Sequence, residues 1–180
     1  VEQEQILPRS EIKPGDQLIS LPSSGLHTNG YSLARKIIFS QQKLSLESYL
    51  TECQATIGEL LLSIHRSYFP LLESYLTSPD LKGLAHITGG GIAGNLKRIL
   101  PENIGARITL KKEDIPPFFH WLQHIGMLSD ATMRETFNLG TGMLCVVENS
   151  SIDKYLTIEG ARWVGEIVAR NQLIDKVEFI

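Results

Sequence analysis

The sequence predicts an α+β fold: a layered α/β/α domain with a mixed, largely antiparallel sheet flanked by helices. Three observations carry this. Short strand-like segments and amphipathic helical segments alternate in irregular order, without a regular βαβ array. Two of the strand-like segments, 17–21 and 84–88, run through glycine-bearing loops straight into helical patterns. The chain has 180 residues, 42% of them apolar, which is enough for one ordinary core.

Taken in order, residues 1–13 read as a tether or edge strand in which Ile6 and Leu7 pack on something, and residues 14–180 read as the domain proper. The start, Val1-Glu2-Gln3-Glu4-Gln5, is polar and acidic and has no signal-peptide character. It lacks a methionine, which fits a processed chain or an excised piece of a longer one. Lys13-Pro14-Gly15-Asp16 is a turn, set by its proline and glycine. Segment 17–21 is a strand and 22–30 a polar loop. In the helix 31–38 that follows, Leu33, Ala34, Ile37 and Ile38 form the apolar face.

Residues 40–56 read as loop with a short helix at 46–50. Residues 57–76 carry a helical repeat of Ile57, Leu60, Leu61, Ile64, Tyr68, Leu71, Leu72, Tyr75 and Leu76, which Pro70 should kink or divide. After the strand 84–88, Ile92, Ala93, Leu96, Ile99 and Leu100 make one helical face. Lys97 and Arg98 suit the negative end of its dipole, and Pro101 stops it.

Segment 106–110 alternates as a half-buried strand. Pro116 and Pro117 open a helix that buries Phe118, Phe119, Leu122 and Ile125, with Gly126 as C-terminal cap. Ser129 caps a helix at 130–135. Segment 143–147 is a strand, 152–156 a weak helix, and 163–169 and 177–180 are final strands.

Two loops concentrate the chemistry. Ala85-His86-Ile87-Thr88-Gly89-Gly90-Gly91 opens a helix, and Ser23-Ser24-Gly25-Leu26-His27-Thr28-Asn29-Gly30 opens another. Glycines at a helix start tolerate positive φ and bring backbone N–H groups near an anion. The same residues also serve a tight turn that binds nothing. Having two such loops, each with a histidine and a threonine, suggests that both helix starts face one polyanionic ligand.

Asn138, Gly140 and Gly142 shape either a ligand loop or a β-bulge. His120 and His124 have metal-binding spacing, but no third ligand accompanies them, so they read as solvated. Arg35, Lys36, Lys111 and Lys112 read as surface charges. A net charge of −3 argues against general nucleic-acid or membrane-surface binding. The two cysteines, Cys53 and Cys145, match no metal or redox spacing and fit reduced thiols in a cytoplasmic protein. No apolar run reaches membrane-spanning length.

The motifs Lys13-Pro14-Gly15-Asp16, Leu21-Pro22-Ser23-Ser24-Gly25-Leu26-His27-Thr28-Asn29-Gly30-Tyr31-Ser32, Ala85-His86-Ile87-Thr88-Gly89-Gly90-Gly91 and Phe137-Asn138-Leu139-Gly140-Thr141-Gly142-Met143 stand in this order. With Gly160 and Trp163-Val164-Gly165-Glu166-Ile167, they resemble the aminoimidazole ribonucleotide synthetase (phosphoribosylformylglycinamidine cyclo-ligase) family of purine biosynthesis, in its C-terminal half.

The resemblance implies an ATP- and Mg2+-dependent ligase acting on formylglycinamidine ribonucleotide, homodimeric at full length. ATP and Mg2+ would bind mainly through the N-terminal half, which is absent here, so this chain alone would be inactive. It implies cleft roles for His27 and His86 as catalytic residues, against ordinary buried histidines as the plainer reading. Ser24, Asn29, Gly30, Thr88, Gly89, Gly90, Gly91, Asn138 and Gly140 would be substrate- or phosphate-binding, and no metal ligand is expected in this chain.

The family often carries a Pro-Thr-Arg-x-Tyr-Val-Lys-like segment. Here it reads Ile64-His65-Arg66-Ser67-Tyr68-Phe69-Pro70: Arg66 and Tyr68 match, His65 stands at the threonine and Pro70 at the lysine. The alternatives are the corresponding domain of formylglycinamidine synthetase, selenophosphate synthetase, a hydrogenase maturation factor or thiamine-monophosphate kinase, or a non-catalytic scaffold domain.

Overall fold

The structure, a computed structural model, describes residues 6–9 and 11–180. Its centre is a six-stranded mixed sheet. In chain order the strands and helices are β1 (Gln17–Pro22), α1 (Tyr31–Arg35), β2 (Tyr49–Leu50), β3 (Ala55–Thr56), α2 (Ile57–Leu61), α3 (Phe69–Leu72), β4 (Leu81–His86), α4 (Gly91–Ile99), β5 (Ile104–Ile108), α5 (Pro117–Gly126), α6 (Asp130–Thr136), β6 (Thr141–Val147), α7 (Ile152–Leu156), β7 (Arg162–Ala169) and β8 (Val177–Phe179).

The sheet order is β4-β6-β1-β7-β5-β8. All pairings are antiparallel except β5 with β8. Ile19 lies opposite Cys145, which lies opposite Leu84, so β6 is held between β1 and β4.

The period-2 alternation of β1 divides its side chains between two cores. Leu18 joins Ile92 and Leu96 of α4, Leu144 and Ile167 on one face. Ile19 and Leu21 join Leu72 of α3, Cys145 and Tyr155 of α7 on the other. These are the layers the sequence predicts. A third cluster ties α1, α2, α5 and α6 through Ala34, Ile57, Phe118, Phe119 and Met133. Ile92 and Leu96 are almost fully buried, and each such side chain contributes about 1.5–3 kcal/mol. No helix among the described residues is long and apolar enough to cross a membrane.

Several expectations need correction. Residues 46–50 are not helical. A Ser45–Ser48 turn, with the Ser48 hydroxyl accepting from the Ser45 N–H at 3.0 Å, leads into the small β2–β3 hairpin. Local hydroxyl-to-backbone bonds of this kind compete with helix. Residues 57–76 do divide into two helices, but Pro70 opens the second, in the first turn of α3, where proline lacks no needed N–H. The helical repeat fails earlier: α2 ends at Leu61, and Leu62 and Ile64 are exposed.

The left-handed residue after α5 is Met127 (φ 48°), not Gly126. Gly126 is small because Ile37 leaves it no room. β4 begins at Leu81, earlier than its apolar residues suggest, because the buried Lys82 is neutralised by Asp16. The helix beginning at Tyr31 continues as a π-helix, Lys36–Gln41.

Of the 1–13 segment, residues 1–5 and 10 lie outside the described residues. The Arg9 N–H donates to the Lys82 carbonyl at 2.7 Å, and Leu7 packs on the Tyr155 core, whereas Ile6 is exposed. Ser129 caps α6 as expected, its hydroxyl accepting from the Thr132 N–H.

Candidate active site

The loop after β1 is folded on itself. His27 adopts a left-handed backbone (φ 56°), and its Nε2 accepts the Ser24 N–H at 3.1 Å. That bond places the ring proton on Nδ1. The Ser24 hydroxyl donates to the Ile64 carbonyl, which ties this loop to the segment after α2. Gly30 is left-handed (φ 77°) and lies so close to the Phe137 ring that a Cβ would overlap it.

The second loop is organised by Asn95, 4% exposed within α4. Its Nδ2 donates to the carbonyls of Gly91 (2.7 Å) and Thr88 (3.1 Å), and its Oδ1 accepts the Thr88 hydroxyl at 2.8 Å. Arg98 also donates to that oxygen at 3.1 Å. The Thr88 side chain therefore holds the loop's shape. Gly90 (φ 95°) and Gly91 (φ 62°) need left-handed backbone, and Gly91 additionally abuts the Arg134 carbonyl. The loop ends at the start of α4, where backbone N–H groups lack intrahelical partners.

The structure brings the two loops together. A Cβ on Gly89 would lie 3.5 Å from Asn29 Oδ1. The His27 and His86 rings have centroids 6.5 Å apart. Between them stands a residue that the sequence did not single out: His65 stacks on His27 with centroids 3.9 Å apart, and its Nε2 lies 3.2 Å from His86 Nε2.

Burial, followed by the neighbouring His65 and His86, lowers the pKa of His27 to about 4, so this ring stays neutral near pH 7. Burial and then His65 also lower that of His86. Tyr68 closes the group. Its hydroxyl donates to the Pro22 carbonyl at 2.8 Å, and burial pushes its pKa up to about 12 although Arg66 acts the other way. Gly142 makes this packing possible, since a Cβ there would collide with the Tyr68 hydroxyl and the His27 ring.

Other expected residues are occupied with the scaffold. Asn138 Oδ1 accepts from the Ser23 hydroxyl at 3.0 Å and the Gly140 N–H at 2.9 Å, while Nδ2 donates to the Gly25 carbonyl at 2.8 Å. The backbone of Gly140 (φ 88°) lies against the Pro116 ring. These contacts hold the loops in place. His120 Nε2 lies 2.9 Å from the Lys112 carbonyl, apart from the imidazole group. Arg35, Lys36, Lys111 and Lys112 are exposed, as expected.

A cavity of about 350 Å3, lined by Leu110, Phe119, Met133 and Arg134 among others, contains none of the expected site residues. The imidazole group and the glycine loop instead form an open wall. Among the described residues, the three histidines are the only group of three or more His, Cys, Asp or Glu that could hold a metal ion. Mg2+ takes oxygen ligands, so this wall does not fit it. The start of α4, with Gly89, Gly90 and Gly91 free of side chains, does suit phosphate oxygens.

Sequence reasoning missed His65 and Asn95 as organising residues and left Gly142 open between a ligand loop and a β-bulge. For Asn95 a signal existed, a polar residue on the otherwise apolar first turns of α4. For His65 the sequence showed only its departure from the threonine of the family segment, because its neighbours at positions 27 and 86 are distant in sequence.

Comparisons with known proteins identify the family. The family model described as AIR synthase related protein, C-terminal domain, matches residues 13–177. A phosphoribosylformylglycinamidine cyclo-ligase from Thermodesulfovibrio yellowstonii is 42% identical over 158 residues, 88% of this chain and 46% of that protein. One from Geobacillus kaustophilus is 45% identical over 146 residues, 81% of this chain and 42% of that protein. The chain spans about half the length of the curated relatives it matches.

Among solved structures, a thiamine-monophosphate kinase from Stenotrophomonas maltophilia superposes with a TM-score of 0.61 at 15% identity, covering 99% of this chain and 54% of that one. The hydrogenase maturation protein HypE from E. coli does so at 0.53 and 20% identity, covering 89% and 46%. At these identities the likeness is one of fold. Family-model coverage from residue 13 to 177, with relatives above 40% identity, leads to one conclusion: the chain belongs to the AIR synthase related protein family and represents its C-terminal domain.

Proposed function

We propose that this chain is one wall of a cyclo-ligase cleft, the other wall being supplied by the N-terminal half of the same enzyme. The full protein would use ATP and Mg2+ to convert formylglycinamidine ribonucleotide to aminoimidazole ribonucleotide in the cytoplasm, as a homodimer. The observation that carries this reading is the meeting of the two loops: His27 and His86 stand beside Gly89–Gly91 at the start of α4, with Asn29 against Gly89. The names of relatives at 38–45% identity support it.

In this reaction the formyl amide oxygen is phosphorylated by ATP. The amidine nitrogen then attacks the activated carbon, the C–O bond to phosphate breaks, and the ring closes with release of inorganic phosphate and a proton. ATP supplies the activating phosphoryl group when bound. Gly89, Gly90 and Gly91 let phosphate oxygens approach the backbone at the start of α4, and Asn95 fixes that loop so that little reorganisation is needed. His86, whose pKa burial and then His65 lower, is the imidazole suited to accept the proton lost on ring closure, whereas His27, its lone pair taken by the Ser24 N–H, holds the loop in place. The acidic ligands of Mg2+ come from the other half, since the group in this wall is nitrogen-only.

The test is ATP-dependent formation of aminoimidazole ribonucleotide by this chain alone and after addition of the separately purified N-terminal half. Activity only on mixing is the expected result. Activity of this chain alone would overturn the reading. The fold shared with thiamine-monophosphate kinase and HypE makes a sister activity the second reading, and a substrate panel on the full-length protein separates the two.

A further inference from the structure

The imidazole group invites a question that the cyclo-ligase reading leaves open. That reading has use for two histidines, and the structure assembles three. His65 enters the group from the segment between α2 and α3.

One ring nitrogen of each histidine lies within 4.8 Å of the other two. The His65 Nε2–His86 Nε2 separation of 3.2 Å matches the edge of a tetrahedral site, about 3.3 Å for metal–nitrogen bonds of ~2.0–2.1 Å. The group also carries an uncompensated polar atom: His27 is 95% buried by its 5% exposure, yet its Nδ1 has no hydrogen-bond partner. Such atoms are rare in native proteins and call for an explanation. No carboxylate belongs to the group, so hard cations such as Mg2+ and Ca2+ are disfavoured, whereas imidazole suits zinc, nickel and copper.

We propose that His27, His65 and His86 form a binding site for a divalent transition-metal ion, with Zn2+ as the probe of first choice. The site would be open at the fourth position, toward the surface on which His86 is exposed. Occupancy requires two adjustments. The stacked His27 and His65 rings, 19° from parallel, must turn so that their lone pairs converge, and the half-buried His65 is freer to do this than the buried His27. The metal would take the orphaned Nδ1 of His27, so the ring proton must move to Nε2 and that atom must give up the Ser24 amide. The site overlaps the wall assigned above to the cyclo-ligase, but its existence does not rest on that assignment.

The experiment is a titration of the untagged chain with Zn2+ in competition with a chromophoric chelator, repeated with Co2+, whose visible absorption reports tetrahedral geometry. One equivalent is expected to bind, with no competition from excess Mg2+. His65→Thr and His86→Ala should each weaken binding by at least ~100-fold, since even outer-shell partners of a metal ligand are worth about 10–100-fold. Both side chains are partly or fully exposed, so these variants should fold where His27→Ala need not.

A His120→Ala/His124→Ala double variant removes the surface pair with metal-binding spacing and should bind as the parent does. Absence of stoichiometric binding, retention of affinity in His65→Thr, or loss of it in the His120/His124 variant would each overturn the proposal. Because the readout is direct metal binding, failure here leaves the cyclo-ligase reading standing, and failure of that reading leaves the metal result intact.

Discussion

Lys82 Nζ lies 2.7 Å from Asp16 Oδ1, and the two side chains are only 6% and 1% exposed. The other carboxylate oxygen, Oδ2, accepts the Lys13 N–H at 2.8 Å, so the ion pair locks the turn before β1 onto the edge strand β4. A buried pair gains little over an apolar pair, but breaking it leaves one charge stranded in the interior. Lys82→Met should therefore destabilise the fold by about 3–5 kcal/mol, and Asp16→Leu combined with Lys82→Met should recover a large part of that loss. Urea denaturation of the two single variants and the double variant measures this. Additive losses in the double variant would show that the two residues act independently.

Gly90 and Gly91 are adjacent and look equivalent in sequence, yet the structure separates them. Gly90 is at φ 95°, and a Cβ there would meet only the Gly94 Cα, at 3.6 Å. Gly91 is at φ 62°, and a Cβ would be driven into the Arg134 carbonyl of α6. Gly90→Ala should cost about 1–3 kcal/mol of backbone strain and leave a folded protein. Gly91→Ala should disrupt the α4–α6 contact and fail to fold stably. If the glycine loop receives phosphate, folded Gly90→Ala in the complete enzyme should also raise the KM for ATP or substrate. Unchanged KM values would mark the loop as a turn only, as the scaffold reading holds.

These two cases show what the sequence carried and what it did not. The Pro14-Gly15 turn, β1, β6 and α4 were legible because their signals are local: turn chemistry, alternation and a helical stripe. β4 began earlier than expected because Lys82 and Gly83 break the apolar pattern, and the carboxylate that makes Lys82 tolerable lies 66 positions away. Pro70 was misread because a proline that starts a helix and one that breaks a helix differ only in where the helix is. In the site, His27, His86 and the glycines could be found from loop composition. The stacking of His65 and the close approach at Gly142 are tertiary contacts without a local signature, whereas the bracing by Asn95 is local and was signalled by a polar residue on the apolar start of α4.

Asp80 provides a pH test away from the imidazole group. Burial alone would raise its pKa, but hydrogen bonds from Ser78, Lys154, Ser151 and Tyr155 prevail and hold it well below the usual carboxylate range. A carboxylate with a depressed folded pKa contributes its full stability above the unfolded value, near 3.8, and loses it as pH falls toward the folded value. The stability difference between the parent and Asp80→Asn should thus be constant from neutral pH down to about pH 5 and shrink below about pH 4. Denaturant titrations at a series of pH values would show it. A difference that grew on acidification would contradict the assignment.

Asn138 ties its own loop to the loop after β1 with one amide. It accepts from Ser23 and Gly140 and donates to the Gly25 carbonyl, while being 2% exposed. Removing it leaves the buried Gly140 N–H and the part-buried Gly25 carbonyl without partners, at up to about 1–3 kcal/mol each. Asn138→Ala should accordingly cost ~2–5 kcal/mol. Asn138→Asp keeps both acceptor contacts but sets a carboxylate against the Gly25 carbonyl, so it should fold yet shift the loop that carries Ser24 and His27. The distinguishing measurement pairs urea denaturation with kinetics of the complete enzyme. A residue that only braces the loops should show a destabilised Asn138→Ala and, in folded Asn138→Asp, a fall in kcat with the KM for ATP nearly unchanged. A large rise in the KM for substrate, with stability preserved, would mean that the Asn138 amide reaches the ligand itself.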